Sequence, residues 1–177
     1  MFPFGSFPYR QLVADTLKHA LSELSPSFPT LTSLTHVDQA AIAAWKEQWL
    51  PAMPTGEVWS TWDWEAEIAR WERRTRRRFD MAIWSHDELC GLAIGRPSLR
   101  KQNFSICAVQ GSPVDTHALK GKILPIVIDV ARMYGTALGC EELRFLKPLK
   151  GMIPVYEGFD FRLARSSRGM QYCVQLL

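Results

Sequence analysis

The first stretch that could do chemistry is Ala118-Leu119-Lys120-Gly121-Lys122-Ile123. Behind it the apolar residues Ile123, Leu124, Val127, Ile128, Val130, Ala131, Tyr134 and Leu138 recur in steps of three and four, which predicts a helix. A helix N-terminus offers unpaired amide hydrogens and about half a positive charge, which suits a phosphate-bearing ligand. Gly121 lets the backbone approach such a ligand closely, and Lys120 and Lys122 add mobile cations at its rim. A lysine pair beside a glycine also makes an ordinary surface turn, so this turn alone carries no specificity.

Other reactive side chains are less directive. Cys90, Cys107, Cys140 and Cys173 show no paired metal-ligand spacing, and three of them lie in apolar, strand-like surroundings. They read as reduced thiols of a cytoplasmic protein without a metal site. An apolar strand raises a thiol's pKa, so Cys107 is a poor nucleophile. His19 falls on a helical segment without a partner motif and reads as a surface residue. The helix expected after Ser60-Thr61 is acidic first, at Asp63, Glu65 and Glu67, then basic at Arg70, Arg73, Arg74, Arg76, Arg77 and Arg78, an order that suits the helix dipole. Two readings of this Arg70–Arg78 run stay open: the solvated end of a helix packed through Trp64, Ile68 and Trp71, or an acceptor- or RNA-facing patch. With 21 Lys and Arg against 18 Asp and Glu, the net charge of +3 is too small to argue for a nucleic-acid partner.

These residues need elements to hold them. Asn103–Gln110 carries Phe104, Ile106, Cys107, Ala108 and Val109 and is closed by Gly111-Ser112-Pro113, which predicts a buried strand with a bend or bulge at its end. The helix after Gly121 tolerates Pro125 in its first turn and stops at Gly139. Leu143–Leu146 then predicts a second strand, completing a parallel crossover unit.

Downstream, Ile153-Pro154-Val155-Tyr156-Glu157-Gly158-Phe159-Asp160-Phe161 places a tyrosine five residues before a phenylalanine. With the strand, glycine turn, long helix and strand before it, this segment resembles the GCN5-related N-acetyltransferases, whose last signature commonly reads Tyr, three variable residues, Gly, Phe. Asp160 stands where that signature has glycine, and Asp is among the few residues enriched in the left-handed backbone such a position needs. Only Gly121 matches the family's usual acetyl-CoA loop. The resemblance implies an α/β (α+β) fold, a mixed central sheet flanked by helices. Acetyl-CoA would lie with its pyrophosphate at the amides of Leu119, Lys120, Gly121, Lys122 and Ile123, and its thioester beside Cys107, Ala108 and Val109. Tyr156 takes the place of the general acid that protects the leaving thiolate. No carboxylate sits in the central strand, so Asp115 and His117, just after it, are the candidates for a base acting directly or through water. Both are also ordinary turn residues.

The remaining segments fit one domain over 1–177, with 1–30 as an arm and an extra helix and 31–177 as the acetyltransferase-like core. Met1–Pro8 is broken by two prolines and lacks a basic start, so it reads as an aromatic arm packed on this domain or a second subunit rather than a membrane span or signal. Tyr9–Leu24 predicts the first helix, Leu31–Val37 an edge strand, Asp38–Trp49 a second helix, Phe79–Trp84 and Leu89–Ile94 a hairpin, and 162–176 a terminal hairpin. Trp45, Trp49, Trp59, Trp62 and Trp64 suggest an aromatic acceptor wall. The expected function is acetyl transfer to an amine, small molecule or protein, by direct attack in a ternary complex. An inactive member of the fold acting as a binding or regulatory protein, and an RNA-associated protein, are the alternatives.

Overall fold

The computed structural model describes residues 8–54 and 62–177; the aromatic arm before Pro8, together with Trp59, Ser60 and Thr61, lies outside the described residues. Helix α1 (Tyr9–Leu24) leads to strand β1 (Ser33–Thr35) and helix α2 (Gln39–Ala44), which continues as a π-helical turn (Trp45–Trp49) and a 3-10 turn (Leu50–Ala52). Then follow α3 (Trp64–Arg74), β2 (Phe79–Ser85), β3 (Glu88–Pro97), β4 (Asn103–Gly111), α4 (Ile123–Leu138) and β5 (Glu142–Leu146). A 3-10 turn (Lys150–Met152) precedes the short α5 (Ile153–Glu157), and β6 (Arg162–Arg165) and β7 (Gln171–Leu176) end the chain.

The seven strands form one mixed sheet in the order β1-β2-β3-β4-β5-β7-β6, antiparallel except where β4 runs parallel to β5. The terminal hairpin enters the sheet by its second strand, so β7 pairs with β5 and β6 becomes the edge. Alternation along the strands gives the sheet two apolar faces. Phe79, Met81, Phe104, Ile106, Leu143 and Phe145 are buried in one core with α1 and α4, while Ala82, Leu92, Ile94 and Ala108 are buried in another with α2 and α3.

The tryptophans expected as an acceptor wall mostly serve this second core: Trp45, Trp49 and Trp64 are 5%, 0% and 0% exposed. Trp49 Nε1 donates to the Leu89 carbonyl at 2.7 Å and Trp64 Nε1 to the Gln110 side chain at 2.6 Å, so both indoles are satisfied as well as buried. The basic helix also differs from expectation. Asp63 caps α3, accepting from the Ala66 amide at 3.0 Å, and the helix stops at Arg74 because Thr75 is extended. Arg76, Arg77 and Arg78 therefore lie beyond it, and Arg78 turns inward.

Arg78 is buried because Asp80, fully buried on β2, needs it. Asp80 Oδ2 accepts from Arg78 Nε at 2.6 Å and from Arg10 Nη1 at 2.7 Å, and its Oδ1 accepts from the Val37 amide at 2.7 Å. His36 Nδ1 stands 3.4 Å away. Burial alone would raise this carboxyl's pKa; the His36 ring, the two guanidinium groups and the amide together overturn that and hold it below the usual carboxylate range. One side chain thus ties α1, the segment before α2 and the end of α3 to the sheet.

Candidate functional site

Strands β4 and β5 pair from Asn103 with Glu142 to Ile106 with Phe145, and there the pairing stops although β4 runs on to Gly111. At the next residue β4 is bulged: Ile94 faces Ala108 and Gly95 faces Ile106, leaving Cys107 as the extra residue. The bulge shifts the pleat by one, which is why Ala108 points to the face opposite Phe104 and Ile106. Gly95 permits it, since a Cβ there would stand 2.6 Å from the Ser105 carbonyl oxygen. The irregularity expected at Gly111-Ser112-Pro113 lies at Cys107 instead. From Cys107 onward β4 keeps β3 on one side and has no strand on the other, so a slot lined by backbone opens between β4 and β5.

The N-terminus of α4 lies near the open end of that slot, over β3 and β4. A Cβ built on Gly91 would stand 2.7 Å from Ile123 Cγ2, and one on Gly111 3.5 Å from Ile123 Cγ1. No side chain caps the helix and its first turn holds no acidic residue. Among the described residues the amides of Gly121, Ile123 and Leu124 have no hydrogen-bond acceptor. Gly121 takes φ 75° with open space where a side chain would begin. Free amides converging on open space fit a phosphate group.

Tyr156 comes to the other side of the slot. Carried on α5, it stacks on Phe145 with ring centroids 4.4 Å apart, and Phe161 sits edge-on to both rings. Phe145 is the residue paired with Ile106, so the tyrosine stands where the two strands part. Asp160, in the place of the signature glycine, has φ 65°, the left-handed backbone its residue type accommodates. Burial, with the nearby Cys173 side chain adding to it, pushes the Tyr156 phenol up to about 12, so the hydroxyl stays protonated at neutral pH.

Solved structures share this arrangement of strands and helices. The aminoglycoside 6'-N-acetyltransferase from Enterococcus faecium aligns over 82% of this chain and 97% of that one, with TM-score 0.55 and 12% identity. The ribosomal-protein-S18-alanine N-acetyltransferase from Escherichia coli aligns over 82% and 92%, with TM-score 0.51 and 15% identity. N-acetylglutamate synthase from Neisseria gonorrhoeae, solved with coenzyme A and N-acetyl-glutamate, aligns over 82% of this chain and 35% of that one, with TM-score 0.53 and 16% identity. This is the GCN5-related N-acetyltransferase fold. No family model and no curated protein sequence matches the chain. No helix among the described residues is long and apolar enough to cross a membrane.

Within this acetyltransferase fold the expected site residues separate into two groups. Cys107, Ala108 and Val109 lie along the slot, with Tyr156 at its start. Leu119, Lys120, Gly121, Lys122 and Ile123 form the turn into α4, and Asp115 and His117 belong to that turn as well. Asp115 is exposed and accepts from Lys120 Nζ at 2.6 Å, which lowers its pKa. His117 is buried with Nδ1 unpartnered; desolvation lowers its pKa, with Glu88 opposing and Lys120 assisting. Both stand beyond Gly111, five residues past Ile106 and on the order of 15 Å along a strand, so they are not gathered with Tyr156.

A further carboxylate, Glu67 on α3, reads from the sequence only as part of the helix's acidic start. Its side chain is largely covered and pairs with Arg70 one turn along the helix. Burial pushes the Cys107 thiol up to about 11, with Arg96 pulling it back and Glu67 adding to the rise. Arg96 itself lies over the Trp71 ring at 5.6 Å. Helical spacing put Glu67 on α3, but its acid-first position reads as dipole compensation and gives no sign of what it faces.

Proposed function

We propose that the chain is an acetyl-CoA-dependent N-acetyltransferase, one domain with its core over 31–177, acting on an amine by direct attack in a ternary complex. The observation that carries this reading is the coincidence of three features at one place: the end of β4–β5 pairing, the bulge at Cys107, and the tyrosine stacked on the last paired residue.

The free amides of Gly121, Ile123 and Leu124, with Lys122 beside them, would hold the pyrophosphate, and the unpaired backbone of Cys107, Ala108 and Val109 the arm and thioester. Bound acetyl-CoA supplies an activated acetyl group and a thiol leaving group. Tyr156 holds its proton at neutral pH and would give it to the departing sulfur. The incoming ammonium must lose a proton before it attacks, and Glu67 is the carboxylate whose charge reaches the bulge. Asp115 and His117, at the phosphate turn, tune charge there.

Calorimetric titration with acetyl-CoA, desulfo-CoA and a longer acyl-CoA tests the reading. Micromolar binding of acetyl-CoA is expected, and no binding of any of the three sinks it. The inactive-protein alternative has one observation in its favour, that Asp115 already engages Lys120 at the phosphate turn. Binding without detectable turnover on a broad amine panel would select it. The RNA alternative is weakened by Arg70 and Arg78, both engaged in ion pairs.

A further inference from the structure

The end of the sheet holds a second group of cations, on the opposite flank of the slot from α4. Here Lys147, Pro148, Arg165, Gly169, Met170 and Gln171 line a hollow of about 390 Å³. Arg165 pairs with Gln171 across β6 and β7, so both side chains lie on one face of the hairpin. Lys147 is held there by its own backbone: φ is 50°, and its amide donates to the Gln171 carbonyl at 3.1 Å. A left-handed lysine persists only where its surroundings impose it. The hairpin tip is fixed by the Ser166 amide donating to the Met170 carbonyl and the Gly169 amide to the Ser166 carbonyl, both at 2.9 Å. These bonds hold the hairpin rim of the open hollow in place.

Its charge faces solvent: Lys147 and Arg165 are exposed and make no ion pair among the described residues, so both are open to an anion. Cations elsewhere that help build the fold are paired, as Arg78 with Asp80 and Arg144 with Glu142.

Position decides what the charge is for. The α4 amides stand over β3 and β4, whereas the hollow lies across β5, β7 and β6. Lys147 is two residues beyond Phe145, and strands are about 4.8 Å apart, so the hollow is on the order of 10 Å from the place where the strands part. A cofactor whose phosphates sit at α4 has its thioester at Cys107 and does not need this flank. We propose that the hollow binds a carboxylate or phosphate carried by the amine acceptor, so that the acceptor class is an acidic amine with its anionic group about three extended residues from the reacting nitrogen. This rests on the acetyltransferase reading of the slot.

The test uses the full chain and two labelled peptides with a free N-terminus, Ser-Ala-Glu-Glu and Ser-Ala-Lys-Lys, titrated in the presence of CoA. The acidic peptide is expected to bind at least about tenfold tighter at low salt, with the preference shrinking as salt screens it. The double variant Lys147→Glu/Arg165→Glu should erase the preference while acetyl-CoA affinity, read by calorimetry, stays unchanged. Lys147→Gln alone should reduce the preference part-way, and circular dichroism checks that each variant is folded. Equal binding of the two peptides, or no binding of the acidic one, overturns the proposal. So does a variant that loses CoA affinity but not dephospho-CoA affinity, since the hollow would then serve the cofactor's 3'-phosphate. If wild-type protein binds no acyl-CoA yet holds the acidic peptide through Lys147 and Arg165, the anion site stands and the acetyltransferase reading falls.

Discussion

Two polar regions of this fold are opposites. Around Asp80 the charges find partners inside the protein: Arg78, Arg10 and the Val37 amide close on one buried carboxylate. Around the slot the polar groups are unanswered, with backbone from Cys107 lacking a strand neighbour and three amides at α4 lacking an acceptor. An unpaired amide at a helix start or along an open strand edge is met by water or by a ligand, so the slot is where something outside the chain can complete the hydrogen bonding. The satisfied knot reads as structure and the unsatisfied slot as a binding site. The contrast can be broken by removing a group from each side.

The largest effect belongs to the knot. Asp80→Ala leaves the buried Arg78 with only the largely exposed Glu72 carboxylate, 3.1 Å from its Nη1, and should cost about 3 kcal/mol in urea unfolding. Acetyl-CoA affinity of the remaining folded protein should hold. The acid dependence has a defined sign: the folded-state pKa of Asp80 is below 3.8, so its contribution is present above that value and is lost as pH falls through the folded pKa. The variant should lack that part of the acid limb. Unchanged stability would mean the knot is not what joins α1 and α3 to the sheet.

On the slot side, Tyr156→Phe keeps the stack on Phe145 and deletes only the hydroxyl. Turnover should fall by about 10²–10⁴ while stability moves by no more than about 1 kcal/mol. Because the phenol titrates only at about 12, a decline in rate that begins near neutral pH belongs to another group. Full activity in the variant removes Tyr156 from the chemistry. Glu67→Gln tests the carboxylate beside the bulge: it should depress the rate with little change in acetyl-CoA affinity, and an unchanged rate removes Glu67 from the chemistry.

A finer comparison uses two glycines. Gly121 and Gly169 have φ 75° and 79°, and neither has an atom within 4 Å of where a Cβ would stand. Replacing either with Ala imposes the same backbone strain, about 1–2 kcal/mol. Only Gly121→Ala should weaken acetyl-CoA, by about tenfold in calorimetry. Equal losses would mean that strain rather than position is responsible.

The crossover unit was legible because its periodicity changes from that of a strand to that of a helix at a glycine and back again at Gly139, whose φ of 74° the helix stop requires. Tyr156 and Asp160 were legible for a local reason too, since Asp160 takes the left-handed backbone that its residue type allows. The bulge was not. In Phe104-Ser105-Ile106-Cys107-Ala108-Val109 an apolar run fits either face, and the shift is fixed by Gly95 on the neighbouring strand. Nor does a hairpin declare which of its strands will enter the sheet, and so β7 beside β5 came only with the structure. The facing of Glu67 and the burial of Arg78 are likewise set by distant partners, Cys107 and Asp80, that helical spacing cannot name.

The smallest expected effect lies between the two regions in character. Asp115 and Lys120 form an ion pair like those of the knot, at 2.6 Å, but both are exposed and stand at the edge of the anion-binding turn. Exposed pairs contribute little to stability, so Asp115→Asn should leave the unfolding curve in place. It should nonetheless release Lys120 and remove a negative charge from the approach of a phosphate. Acetyl-CoA affinity should then rise by roughly twofold to threefold at low ionic strength, and the gain should vanish in high salt. A fall in turnover at unchanged affinity would instead give Asp115 the part of a base acting through water, and would shift the proton-accepting side of the slot from Glu67 to the turn before α4.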